Sequence, residues 1–190
     1  RAAAFFEAAE ALESWEMLAE AREFVTKGID LCAPEELASA SVYARVMARL
    51  GQYDEAFRRL AAGGRPALLE VARVVRRYYT PEQKAAFARF LETLTAPDKP
   101  PWLTDLAQVA GLAELEARWR NERLLVTAGQ PGAEMELQRL ISLQNRRGRF
   151  SELGAQLEAY WSAHPVRETR DQVLDLAAEA YRSAGDAPAE

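Results

Sequence analysis

Cysteine and histidine are almost absent: one of each stands among 190 residues, Cys32 and His164. That leaves no raw material for a zinc cluster, a Cys–His nucleophile pair or a disulfide framework. No apolar run approaches the ~20 residues a membrane span needs. The opening stretch, RAAAFFEAAEALESWEMLAEA, is acidic and amphipathic and lacks the charged-then-apolar order of a secretory signal. Lysine is scarce too, with only Lys27, Lys84 and Lys99 among 24 basic residues, which suits a bacterial protein from a GC-rich genome, cytoplasmic rather than periplasmic by a small margin. There is no Gly-x-Ser-x-Gly nucleophile turn. Gly63-Gly64-Arg65-Pro66 lacks the Lys-Ser/Thr of a phosphate loop. These gaps predict no catalysis, no cofactor and no metal.

What is present is Ala, Leu, Glu and Arg, all good helix formers, while the strand formers Val, Ile and Thr are sparse. Apolar residues recur at helical spacing between short breaks, predicting helices near 2–12, 15–28, 35–50, 53–62, 66–79, 81–95, 102–110, 112–128, 132–147, 150–163 and 167–184. The breaks have chemical causes. Ala33-Pro34-Glu35-Glu36 puts Pro and acids at a helix start, and Leu50-Gly51-Gln52 ends a helix on a residue tolerant of positive φ. Thr80-Pro81-Glu82-Gln83 joins an N-cap to Pro at the first helical position. The stretch 96–101, Ala-Pro-Asp-Lys-Pro-Pro, reads as an irregular junction within one region and not as a domain boundary.

Three segments align on a turn glycine: LGQYDEA at 50–56, RGRFSEL at 147–153 and AAEAYRSAGD at 177–186. Tyr53 and Phe150 each follow the glycine by two residues. Gly148 and Gly185 are 37 residues apart, and the interval from Gly51 to Gly148 accommodates three units of about 32. Trp15, followed by Leu18 and Ala19, reads as the same inner turn one unit earlier. This pattern resembles the tetratricopeptide repeat family, whose unit is a helix pair of ~34 residues. The resemblance puts Ala44, Ala56 and Ala178 at close helix approaches, Met47 and Tyr181 at large apolar positions, and Pro165 at the end of a second helix. Leu153 and Ile141 depart from it, standing where small residues are expected. It implies a right-handed αα-hairpin superhelix of about five pairs over 1–190, a piece of a longer chain. Sel1-like, HEAT-like and generic αα-hairpin solenoids are the alternatives.

Net charge is −5, unevenly spread: −6 over 1–36, +5 over 37–95 and −4 over 96–190. The acidic total argues against nucleic acid, which needs a dense basic surface. The basic block suits an acidic protein or peptide. Within it Arg45 and Arg49, and then Arg73 and Arg77, each share a helix face by their spacing of four. The resemblance sets these first helices on the concave, ligand-facing side, with Arg45 level with Arg73, Arg49 level with Arg77, and Arg76 beside them. Asn145 and Arg146 extend the surface in a later unit. With only Asn121 and Asn145 available and arginine in place of lysine, the family's chaperone-tail carboxylate clamp is not expected. The expected function is a non-catalytic scaffold binding a partner through the concave face. A structural spacer or self-association module is the alternative, and a nucleic-acid binder a weaker one.

Other residues receive plainer readings. Cys32 is expected as a small buried hydrophobe and His164 as a helix-end cap. Glu10, Glu13, Glu16, Glu20 and Glu23 are expected on a solvated face. Tyr78, Tyr79, Trp102, Trp119, Tyr160 and Trp161 are expected between helices.

Overall fold

The computed structural model describes residues 2–94, 101–163 and 167–185, and among them the chain is helical with no strand. His164, Pro165 and most of the proline-rich 96–101 stretch lie outside the described residues. Contacts divide the chain into two compact units, Arg1–Leu112 and Ala113–Glu190. The first holds α1 (Ala2–Ser14), α2 (Leu18–Asp30), a 3-10 segment (Pro34–Ser39), α3 (Ser41–Arg49), α4 (Tyr53–Ala61), α5 (Gly64–Tyr78), α6 (Pro81–Thr93) and α7 (Pro101–Ala110). The second holds α8 (Ala113–Val126), α9 (Ala133–Arg147), α10 (Phe150–Ala163) and α11 (Arg167–Ala184). Within each unit, each helix packs on its chain neighbours. In the first unit alternate helices also meet, α1 with α3, α3 with α5 and α5 with α7. This neighbour-on-neighbour packing is compatible with a helical repeat.

The helix expected over 35–50 is broken in two. Ser39 Oγ donates to the Glu36 carbonyl at 2.7 Å and Ala40 leaves helical geometry at φ −88, ψ 31. A run containing Ser39, Ser41 and Val42 has too little helix propensity to bridge such a side-chain competitor.

Four inner turns share one hydrogen-bond pattern. The amides of Met17, Gln52, Leu112 and Arg149 donate back to the carbonyls of Leu12, Met47, Ala107 and Gln144 at 2.8–3.0 Å, closing the helix ends as Schellman motifs. The residue before each donor lies in the left-handed region: Glu16 (φ 62), Gly51 (φ 74), Gly111 (φ 73) and Gly148 (φ 65). Gly185 (φ 78) repeats the conformation, so Gly111, Gly148 and Gly185 fall at equal steps of 37. The α5–α6 turn is different, because Pro81 forces Thr80 into extended backbone (φ −66, ψ 163). Thr80 Oγ1 accepts from the Gln83 amide, and Gln83 Oε1 accepts from the Thr80 amide.

The core of the first unit gathers on Phe57, fully buried, whose ring lies 4.9 Å from Phe87, 5.5 Å from Phe90 and 5.9 Å from Tyr79. Nearly every side chain of α3 is buried: Val42, Tyr43, Ala44, Val46, Met47 and Ala48. Because Ala44 and Ala48 are small, their carbonyls are reachable from outside the helix. Tyr79 Oη donates to the Ala44 carbonyl and Gln83 Nε2 to the Ala48 carbonyl, both at 2.9 Å. Burial pushes the Tyr43 phenol up to about 12, with Glu55 adding to the shift, so it stays protonated in the core.

In the second unit Leu124, Leu140, Leu157 and Tyr160 form the core. A buried ionic network crosses it. Arg120 donates to Glu116 at 2.9 Å and to Glu136 at 2.8 Å, and Arg139 adds a bond to Glu136. The close approach of α10 to α11 falls at Gly154, one residue past the expected small position, where Leu153 is buried instead. A Cβ on Gly154 would sit 2.7 Å from the Tyr181 ring. Gly154→Val is therefore expected to lower stability by about 1–3 kcal/mol, the cost of overpacking. Urea unfolding checks this, and Tyr181→Ala should cost less in that background than in the parent chain.

Candidate functional site

Helix α3 leaves the core only along the stripe Ser41, Arg45 and Arg49, and this stripe meets α1. Arg45 Nε donates to Glu13 Oε2 at 2.7 Å and its Nη2 to Glu10 Oε1 at 2.9 Å. Arg49 pairs with Glu16 and reaches the Glu13 carbonyl and carboxylate. Burial opposes the Arg45 cation, but the hydrogen bonds from Glu10 and Glu13 outweigh it and hold its pKa above the ordinary value. Glu13 is thus no solvated acid: it is 7 % exposed and shared between two guanidiniums. The signal was legible in the helical spacing of Phe6, Ala9 and Glu13, the three buried positions of α1.

Helix α5 buries Ala67, Leu68, Val71, Ala72, Val74 and Val75, and turns Arg73, Arg76 and Arg77 outward. Arg73 pairs with Glu70 on its own helix. Among the described residues Arg76 and Arg77 have no carboxylate partner. Tyr78 is 48 % exposed and does not pack between helices as expected, because Tyr79 takes the buried place at the end of α5. The Tyr78 ring lies between two cations, 5.6 Å from the Arg45 guanidinium carbon and 5.2 Å from that of Arg77. Arg45 and Arg77 therefore both approach the Tyr78 ring. Of the other aromatics expected inside, Trp119 and Tyr160 are buried, and Trp102 and Trp161 are half-buried.

A cluster of planar, permanently charged forks beside an exposed aromatic is suited to holding carboxylates and the apolar groups next to them. Five arginines of the basic block are already matched within the chain: Arg45 and Arg49 with α1, Arg59 with Asp30, Arg65 with Asp105, and Arg73 with Glu70. Among the described residues Arg58, Arg76, Arg77, Lys84 and Arg89 of the block have no carboxylate partner, and of these Arg76 and Arg77 directly precede the exposed Tyr78.

In the second unit Asn145 is exposed and lines a groove of about 180 Å³ whose floor is Leu153 and Leu157, with Leu176, Glu179 and Ser183 opposite. Arg146 is exposed beside it. Cys32 is half-buried and not fully enclosed, and burial, reinforced by Glu36, pushes its thiol up. Among the described residues no group of three or more His, Cys, Asp or Glu is placed to hold a metal ion. No helix among them is long and apolar enough to cross a membrane. No family model, curated protein or solved structure matches this chain.

The ion pairs of α1 and α3 should differ in strength by burial. Glu13→Ala removes charged hydrogen bonds from a buried site and is expected to cost about 1–3 kcal/mol. Glu10→Ala and Glu16→Ala, at exposed carboxylates, should each cost under about 1 kcal/mol. Urea unfolding of the three variants checks the order.

Proposed function

We propose that this chain is a non-catalytic recognition module, similar to tetratricopeptide repeats. In this reading it forms a right-handed superhelix of helix pairs, part of a larger scaffold. The inner helices α3 and α5 present arginine and tyrosine to an acidic peptide or protein segment. One observation carries the reading: among the described residues Arg76 and Arg77 have no carboxylate partner in a block where five arginines are paired, and Arg77, with Arg45, lies against the exposed ring of Tyr78. An acidic segment would supply the missing carboxylates while Tyr78 covers its apolar part. Asn145, Arg146 and the groove beside them are the equivalent candidates in the second unit.

The same observation weighs against nucleic acid. Arg45, Arg49, Arg59, Arg65 and Arg73 are already paired within the chain. Affinity for a polyanion grows with the number of phosphates neutralised, and internal pairing of five of the ten basic side chains in 37–95 halves the number available.

A fluorescent glutamate-rich peptide followed by anisotropy tests the proposal. Binding should weaken as salt rises. Arg76→Glu with Arg77→Glu should weaken it by about tenfold or more, since each charged hydrogen bond contributes about 1.5–3 kcal/mol. These two positions are the informative ones, because reversing Arg45 or Arg49 would also break the contact with α1. Equal affinity in parent and double variant would remove the site, and displacement of the peptide by single-stranded RNA would favour the nucleic-acid reading.

A further inference from the structure

The surface around Arg45 continues past the helices to the α1–α2 turn. Trp15 is 69 % exposed there and Met17 is exposed beside it. Side-chain contacts run unbroken from that turn to the end of α5: Glu16 pairs with Arg49, Arg49 and Arg45 share Glu13, and Arg45 lies over Tyr78, which Arg77 flanks. Glu16 holds a left-handed backbone at φ 62, where the equivalent turns use glycine. A non-glycine residue there carries strain that its surroundings must offset, and the ion pair to Arg49 ties this residue to α3. Trp15 is therefore presented on an anchored turn, as Tyr78 is presented between two guanidiniums.

The two ends of this strip differ in sign. Trp15 and Met17 stand near the exposed acid Glu20, and Glu16 between them is already paired with Arg49, whereas Arg77 lies against Tyr78 and both Arg76 and Arg77 lack carboxylate partners among the described residues. We propose that the strip docks a second copy of this chain across a two-fold axis. The Trp15–Glu20 end of each copy would lie on the Arg76–Arg77–Tyr78 end of the other. A strip acidic at one end and basic at the other is complementary to itself when inverted, which is what an isologous dimer requires. Its exposed anchors, Trp, Tyr and Arg, are the residue types that carry most binding energy at protein interfaces. Tyr78, with Arg45 and Arg77 against its ring, loses less freedom on docking than a free side chain would. A purely acidic peptide would satisfy only the arginine end and leave Trp15 in water. An anionic lipid surface would be repelled by the acidic end.

This inference rests on the reading of Arg76, Arg77 and Tyr78 as a recognition surface, and its test separates the two. Sedimentation velocity of the 190-residue chain should show a concentration-dependent dimer that dissociates as salt rises. Trp15→Ala alone, and Arg76→Glu with Arg77→Glu, should each give monomers with the parent's far-ultraviolet circular dichroism. Glu20→Arg alone should also be monomeric. Mixed with the double arginine variant it should restore the dimer, because both ends then face opposite charge again. A parent chain that stays monomeric at low salt overturns the proposal, and so does a dimer indifferent to Trp15→Ala or unrestored by the mixture. A monomer that still binds the glutamate-rich peptide through Arg76 and Arg77 sinks the dimer and leaves the recognition reading. A dimer of the expected behaviour that binds no such peptide does the reverse.

Discussion

The apolar flank of a short helix can leave water only against another helix, and in this chain the helix available is nearly always the next one along. Helices of 9 to 18 residues follow one another through brief turns, and isolated helices of that length are marginal in water. Each is therefore held by its neighbours: α1 by α2 and α3, α3 by α4 and α5, α10 by α11. The left-handed turns serve this constraint, closing a helix end within two residues so that the next helix starts close enough to pack. Where proline forbids that closure, at Thr80-Pro81, a reciprocal cap between Thr80 and Gln83 takes over.

Charge follows burial. Because α3 is enclosed on nearly every side, its two arginines can point only along one stripe, and that stripe faces the acids of α1. Part of the contrast between an acidic opening and a basic middle is thereby neutralised inside the molecule, through Arg45, Arg49 and Arg59. The second unit places charge more deeply: Arg120 is 2 % exposed between Glu116 and Glu136. A buried arrangement of this kind holds α8 and α9 in register through geometry, since an unpaired member would be costly at that depth.

Most helices were legible before any coordinate, because apolar spacing and the chemistry of Gly, Pro and Thr at their ends are local. The same locality explains the reading of 35–50: periodicity ran through Ala40, but the hydrogen bond from Ser39 ended the helix one turn in. The sequence broke a helix at 111, between 102–110 and 112–128, but Gly111 was not aligned with the other turn glycines although it stands 37 residues before Gly148, because no aromatic follows it as Tyr53 follows Gly51. The arginines of the candidate surface were legible as pairs at spacing four. Their partners in α1 were not, because a carboxylate more than thirty residues away leaves no trace in local pattern. Tyr78 and Tyr79 are adjacent and chemically identical, and only the packing of Phe57 decides which of them goes inside.

The sequence by itself settled helix, turn and the outward stripes of α3 and α5, since each depends on neighbours within a turn or two of the same helix. Only the tertiary structure decided which charges neutralise one another and which remain. Ion pairing depends on distances between helices, and those are set by how small residues such as Ala44, Ala48 and Gly154 let backbones approach. That is why Glu13 proved buried, Arg45 engaged and Arg77 available, although all three are charged residues of similar local setting in the linear chain.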